Sequence, residues 1–119
     1  MTFGEWELLA KQGIAEAEYN LGLIFSRGKE VPRDDKKAVK WYRLAAEQGL
    51  AQAQHNLGVM FGKGQGVEQD YIEAHKWFNI AGVNGNEIGC RNADIVEKKM
   101  TPGQIAVAVG LKRKWLEKC

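Results

Sequence analysis

Few side chains in this 119-residue chain are of the kinds that make or break bonds. Ser26 is the sole serine, Cys90 and Cys119 are the only thiols, and His55 and His75 are the only imidazoles. A nucleophile needs a base within hydrogen-bond reach and a third group to orient that base. No spacing here brings Ser26 to a histidine, and Cys90 would need one from a different helix. Neither histidine has a cysteine or carboxylate at a metal-ligand spacing, so no metal site is expected. Gly62-Lys63-Gly64-Gln65-Gly66 has the composition of a phosphate cradle, but no strand is expected before it and no Lys-Ser or Lys-Thr pair follows. The adjacent carboxylates Asp34 and Asp35 read as a helix start rather than an acid/base pair. The chain is therefore expected not to be an enzyme, and no cofactor is implied.

What the residues do instead is recur. Residues 15–50 lie over residues 51–86 without a gap, matching Ala17 to Ala53, Asn20 to Asn56, Leu21 to Leu57, Gly22 to Gly58, Phe25 to Phe61 and Trp41 to Trp77. Self-similarity at a fixed period is the mark of a repeat architecture. Each unit reads as two helices. Ala17, Leu21 and Phe25 recur at i+4 steps and form one stripe on an A helix, which Ala53, Leu57 and Phe61 copy. Ala38, Trp41, Tyr42 and Ala45 give the apolar face of a B helix, which Ala74, Trp77, Phe78 and Ala81 copy, placing both tryptophans in the core. Asp34 and Asp70 are expected N-caps, with Glu73 completing a capping box. Gly49 and Gly85 fit the left-handed residue after a B helix. Gly22 and Gly58 lie inside A helices at a cost of about 1 kcal/mol each, tolerable where a neighbouring helix must approach closely.

Both ends carry partial units. Residues 1–14 hold the tail of a preceding B helix, because Leu8, Ala10 and Gln12 match Leu44, Ala46 and Gln48. Residues 87–119 read as a capping helix pair. Its first helix, Glu87 to Met100, takes the A register, with Asn92 on the Asn20/Asn56 position. Thr101-Pro102-Gly103-Gln104 then forms a capping box with proline at the first helical position. The last helix has an inner stripe of Ile105, Ala108, Val109, Lys112, Trp115 and Leu116, and Lys112, Arg113, Lys114 and Lys118 would solvate its outer face. The expectation is one all-α domain over residues 1–119, with five to six helices and no strand.

Composition agrees with this plan. Lys plus Arg total 17 against 15 Asp plus Glu, a formal charge of +2, in a chain 45% apolar and 27% charged. That balance does not suit a nucleic-acid face, which is usually strongly basic. No uncharged run approaches the roughly 18 apolar residues of a membrane helix, and the opening residues lack a signal-peptide pattern. The chain as given is expected to be soluble and cytoplasmic, or periplasmic or secreted if an upstream signal peptide has been removed.

The pattern A-x-A-x-x-N-L-G-x-x-F-x-x-G-x-x-V-x-x-D-x-x-x-A-x-K-W, followed by Tyr or Phe and x-x-A-x-x-x-G, stands at residues 15–49 and again at 51–85. It resembles the Sel-one-like repeat family, a relative of tetratricopeptide repeats with a slightly longer unit. The closing MTPGQIAVA and LKRKW are similar to the C-terminal cap common in bacterial members. The resemblance implies a right-handed superhelix, or solenoid, of antiparallel helix pairs. It also implies a non-catalytic scaffold or adaptor for protein partners, with the A helices lining the concave side. Alternatives are a scaffold or regulatory subunit of an enzyme complex in cell-envelope or stress processes, and single-stranded RNA binding, which the small net charge opposes.

Three ladders stand out at the non-core positions of the A helices. Asn20, Asn56 and Asn92 share one position, Arg27, Lys63 and Lys99 a second, and Tyr19, His55 and Arg91 a third. The amide and the cation are two turns apart and share a helix face. Amides can bond an extended peptide backbone and cations favour a carboxylate. The expected partner is a protein or peptide offering an acidic segment or a C-terminus, with no nucleic acid and no membrane insertion. The same cations could instead complement the helix dipole, and the asparagines could tie adjacent repeats together. Self-association through the terminal helices is a further expectation, because each unit needs a neighbour to bury its apolar side.

Secreted cysteine-rich relatives hold a disulfide inside each helix pair, and those pairs are missing here. If the last two helices form a straight hairpin turning near Thr101, Cys119 lies about 10 Å beyond the residue facing Cys90. Bridged α-carbons sit within about 7 Å, so both thiols are expected to be free.

Overall fold

Every apolar stripe in the repeat becomes a helix. The computed structural model describes residues 1–115, with side chains for residues 1–108 and 110. Among the described residues there are seven helices and no strand. They are α1 (Phe3–Lys11), α2 (Ala15–Arg27), α3 (Asp35–Glu47), α4 (Ala51–Lys63), α5 (Tyr71–Val83), α6 (Glu87–Glu97) and α7 (Pro102–Trp115). The A helices are α2, α4 and α6. The number exceeds the expected five to six, although the expected elements themselves, one partial B helix, two A/B pairs and a capping pair, amount to seven. Thr2 and Glu5 close a reciprocal capping box on α1, which holds a helix too short to be stable on propensity alone.

Each helix from α1 to α6 packs on its neighbours in sequence, and the described part of α7 packs on α5. The result is a solenoid of helix pairs about 45 Å long. Ala17, Leu21, Ala38, Ala45, Ala53, Leu57, Ala74 and Ala81 lose all exposure, as the two stripes require. Trp77 is buried. Trp41 is only half-buried, because it packs at the edge of two core clusters rather than inside one. Ile105 and Ala108 join the core. The remaining inner-stripe side chains of α7 (Val109, Lys112, Trp115, Leu116) and its basic residues lie outside the described side chains.

Caps fall where the sequence puts them. The Asp34 carboxylate accepts from the Lys37 amide at 3.1 Å, and Asp70 accepts from Ile72 and Glu73 at 3.0 and 3.1 Å. Glu73 does not reach back to close a box. It turns instead to Lys76, 2.9 Å away, since an i,i+3 cation competes for the same carboxylate. Thr101 and Gln104 form the full reciprocal box at 3.1 and 2.9 Å. Gly49 and Gly85 end the B helices at φ 96° and 103°, values that a side chain would strain.

Two features of the packing were not legible in the residue types. Glu18 and Gln54 occupy one repeat position and are both almost fully buried. Gln48 Nε2 donates to Glu18 Oε1 at 2.7 Å and to the Gly13 carbonyl at 2.8 Å. One repeat later, Asn84 donates to Gln54 Oε1 at 3.0 Å, while Gln54 Nε2 donates to the Ala46 carbonyl at 3.0 Å. A polar brace at this position therefore ties α2 and α4 to the flanking B helices. Cys90 stands at the next position of this series. It is disulfide-bonded, which overturns the expectation of a free thiol. The straight hairpin of α6 and α7 on which that expectation rested does not form, since the described part of α7 packs on α5. Cys119 lies outside the described residues.

Candidate functional site

The A helices are lined by two grooves that are repeats of each other. Between α2 and α4 lies a cavity of about 280 Å³, bordered by Leu23, Ser26, Arg33, Asp35, Tyr42, Asn56, Val59, Met60 and Gln65. Between the C-terminal halves of α4 and α6 lies one of about 210 Å³, bordered by Val59, Gly62, Lys63, Tyr71, Phe78, Asn92, Ile95, Val96 and Lys99. Adding one repeat to Leu23, Ser26, Asp35, Tyr42, Asn56, Val59 and Met60 reproduces Val59, Gly62, Tyr71, Phe78, Asn92, Ile95 and Val96. Val59 lines both grooves and divides them.

Each groove is floored by a ring that depends on a glycine. A Cβ on Gly22 would lie 2.5 Å from the Tyr42 ring, and one on Gly58 would lie 2.7 Å from the Phe78 ring. Both distances are well inside carbon–carbon contact at about 3.5–4.0 Å. The in-helix glycines thus let the B-helix ring lie flat against the A helix.

The ladder residues separate into two groups. Asn56, Lys63, Asn92 and Lys99 border the grooves. Asn20 borders neither, since its amide folds back on its own helix and donates to the Glu16 carbonyl at 2.8 Å. Tyr19 stacks obliquely on Tyr42 with ring centroids 6.0 Å apart, and His55 lies 5.5 Å from the Phe78 ring. Arg27 and Arg91 are exposed and line neither groove.

The amides form part of a chain of hydrogen bonds across four helices. Asn92 Nδ2 lies 2.9 Å from His55 Nε2, and His55 Nδ1 lies 3.3 Å from Asn56 Oδ1. Asn56 is also bonded to Tyr42. The Tyr42 hydroxyl lies 3.1 Å from Ser26 Oγ, which donates to the Leu23 carbonyl at 3.0 Å. One assignment satisfies every link: Asn92 donates to Nε2, His55 donates from Nδ1, Asn56 donates to the phenol, and the phenol donates to Ser26. Burial is the main influence on the Tyr42 phenol and pushes it above its ordinary value of 10.0. Both groove-lining asparagines therefore tie helices together, and each keeps one N–H for another acceptor.

The cations are differently placed. Arg27, Lys63, Arg91 and Lys99 are all exposed, and none forms a salt bridge among the described residues. Arg27 and Lys63 sit in the last turns of α2 and α4, where a cation complements the helix dipole. That role leaves their charge uncompensated by any carboxylate. Lys63 and Lys99 both line the second groove, as do Phe78, Val59, Val96 and the exposed Ile95.

The second histidine has a different setting. His75 is buried, with Nε2 2.7 Å from Glu97 Oε1 and Nδ1 3.0 Å from Asn79 Nδ2. This contact fastens α5 to α6 and lies apart from Cys90 and Ser26. No group of three or more His, Cys, Asp or Glu side chains able to hold a metal occurs among the described residues. Among them, no helix is long and apolar enough to cross a membrane. The glycine-rich stretch at residues 62–66 is the end of α4, its left-handed cap at Gly64 and the turn that follows.

The Sel1 repeat family model matches this chain twice, at residues 15–50 and 51–86. The chain belongs to the Sel1 repeat family. Sel1 repeats typically serve as protein-interaction scaffolds and are generally non-catalytic. Among solved structures, a protective antigen present in uropathogenic Escherichia coli strains, which displays an SLR fold, is 39% identical with a TM-score of 0.90. The match covers 95% of this chain and 24% of that one. A Sel1 repeat protein from Oxalobacter formigenes is 33% identical with a TM-score of 0.76, over 78% of this chain and 38% of that one. This Sel1 repeat chain thus spans about a quarter of the first relative and less than two fifths of the second. No curated protein matches it.

Proposed function

We propose that this Sel1 repeat domain is a non-catalytic adaptor that binds a partner protein through the concave A-helix face, taking an acidic segment or a C-terminus into the groove between α4 and α6. The observation that carries this reading is the groove itself. Lys63 and Lys99 both border it without carboxylate partners, together with the apolar Phe78, Val59 and Val96 and with Asn92. An apolar side chain covers the floor, a carboxylate meets the two ammonium groups, and the spare Asn92 N–H meets a backbone carbonyl. Anchor and charge together are what a short peptide needs for specific recognition.

The test is selection from a pool of random peptides with free C-termini on the immobilised domain, followed by affinity measurement with the Lys63→Glu/Lys99→Glu variant. Selected peptides are expected to carry Asp, Glu or an essential terminal carboxylate, and to lose at least tenfold in affinity on the reversal. Unchanged affinity in a folded variant rules out the cationic groove.

A further inference from the structure

A third cavity, of about 330 Å³, lies where α3, α4 and α5 meet, and it is larger than either groove. Arg43 and Glu47 line it from α3, Gln54 from α4, and Lys76, Trp77 and Ile80 from α5. Its size falls in the range that takes small molecules. Three of its polar groups are left unused by the fold. Arg43 forms no salt bridge among the described residues and lies 5.5 Å from the Phe61 ring. Glu47 is exposed and forms no salt bridge among them either, whereas Lys76 is committed to Glu73 at 2.9 Å. Trp77 is 7% exposed, and its Nε1 is buried without a hydrogen-bond partner among the described residues. A buried donor with no acceptor is costly, and native folds rarely keep one without a use for it.

The preceding unit shows that unpaired charges are not inherent in these positions. There the Arg43 and Glu47 positions hold Glu7 and Lys11, which pair with each other at 3.8 Å. Acid before base is the favourable order for an i,i+4 pair on a helix, and Arg43 before Glu47 is the reverse. The second unit thus keeps a cation and an anion as neighbours on one cavity wall, about 5–6 Å apart at Cβ, with neither neutralising the other.

We infer that this cavity binds a free α-amino acid, with the ligand carboxylate on Arg43 and the Trp77 N–H, the ligand ammonium on Glu47, and the side chain against Ile80 and the indole. A simple carboxylate would satisfy Arg43 but crowd Glu47 with a second anion, and a simple amine would satisfy Glu47 but crowd Arg43 and Lys76. An α-amino acid carries both charges on one carbon, so each meets its opposite. A peptide C-terminus has no ammonium beside its carboxylate. This site is therefore independent of the groove between α4 and α6, and the proposal does not rest on the groove-binding reading.

The indole N–H signals of the ¹⁵N-labelled domain provide the test. The chain has four tryptophans, and Trp77→Phe assigns the signal of Trp77. The common amino acids are added one at a time, and the best of them is compared with its amide, which lacks the carboxylate, and with its deaminated acid, which lacks the ammonium. At least one amino acid is expected to move the Trp77 signal saturably, and both analogues to bind at least about tenfold more weakly. Arg43→Ala and Glu47→Gln, two separate changes at the rim, are each expected to weaken the amino acid by a similar factor. Absence of a saturable Trp77 shift with every amino acid overturns the proposal. Equal binding of either analogue, or unchanged affinity in both folded variants, overturns it as well.

Discussion

Replacing Gly58 by alanine should destabilise this domain even though alanine is the better helix former. Gly58 lies in the interior of α4, where the exchange taken alone would gain about 1 kcal/mol. The new methyl would sit 2.7 Å from Cδ1 and Cε1 of Phe78. Ordinary carbon contacts lie at about 3.5–4.0 Å, so ring and helix must separate by about 1 Å. Phe78 is 4% exposed, and His55 lies against its ring, so it has nowhere to retreat without opening the core. Overpacking of this kind costs about 1–3 kcal/mol. Subtracting the propensity gain leaves a net loss of up to about 2 kcal/mol, or up to about 8 °C in melting temperature at about 2.1 cal/mol/K of unfolding entropy per residue. The control is Gly62→Ala, in the same helix, whose methyl would meet Ala74 Cβ at an unstrained 3.7 Å. That variant should be as stable as wild type or slightly more so. Urea unfolding of the two variants side by side is the assay. A Gly58→Ala domain at least as stable as wild type would refute the close ring-on-helix packing, and with it the account of what shapes the groove floors.

Other consequences can be checked separately. Gln54→Ala removes a buried amide that donates to Ala46 and accepts from Asn84, so a loss of about 1–3 kcal/mol is expected in the urea midpoint. The exposed Gln52→Ala should cost little beside it. The raised phenol of Tyr42 means that the folded state holds its proton more tightly than the unfolded state, so stability should be flat below pH 10 and fall as pH rises above it. Tyr42→Phe should lessen that alkaline fall, and an unchanged pH profile would contradict the assignment. Because Cys90 is disulfide-bonded and the chain has two cysteines, thiol titration of the unreduced, denatured monomer should find none free. Two free thiols would contradict the bridge.

The helices were legible because each is declared several times over. Ala17, Leu21 and Phe25 set the stripe, Asp34 and Asp70 the starts, and Gly49 and Gly85 the stops, and the second repeat restates each of these signals. The grooves were legible in part. Asn56 and Lys63 share a face of α4 by a spacing that can be counted, whereas α6 ends at Glu97 rather than running on to Met100, so Lys99 reaches the groove from the turn after the helix. It could not be counted that Asn20 would turn to its own helix while Asn56 and Asn92 join a chain through His55. Those choices depend on which partner is nearest in space. The burial of Glu18 and Gln54 is hidden for a similar reason, since a polar residue reads as exposed unless its buried partner is known. A signal was present: Gln48 and Asn84 are also amides at a common repeat position, and two polar positions recurring together suggest a pair. The expectation of a free Cys90 rested on a straight hairpin of the last two helices, and the packing of the described part of α7 on α5 is a choice that no local pattern encodes.

The central claim is that recognition occurs between the A helices. The most direct measurement is the backbone amide NMR spectrum of the labelled domain, titrated with a peptide selected from the free-C-terminus pool. Shifts should concentrate at Val59, Lys63, Asn92, Ile95 and Lys99 and extend across Val59 to Asn56 and Ser26. Shifts concentrated instead on the B helices, at Arg43, Leu44 and Ile80, would contradict it.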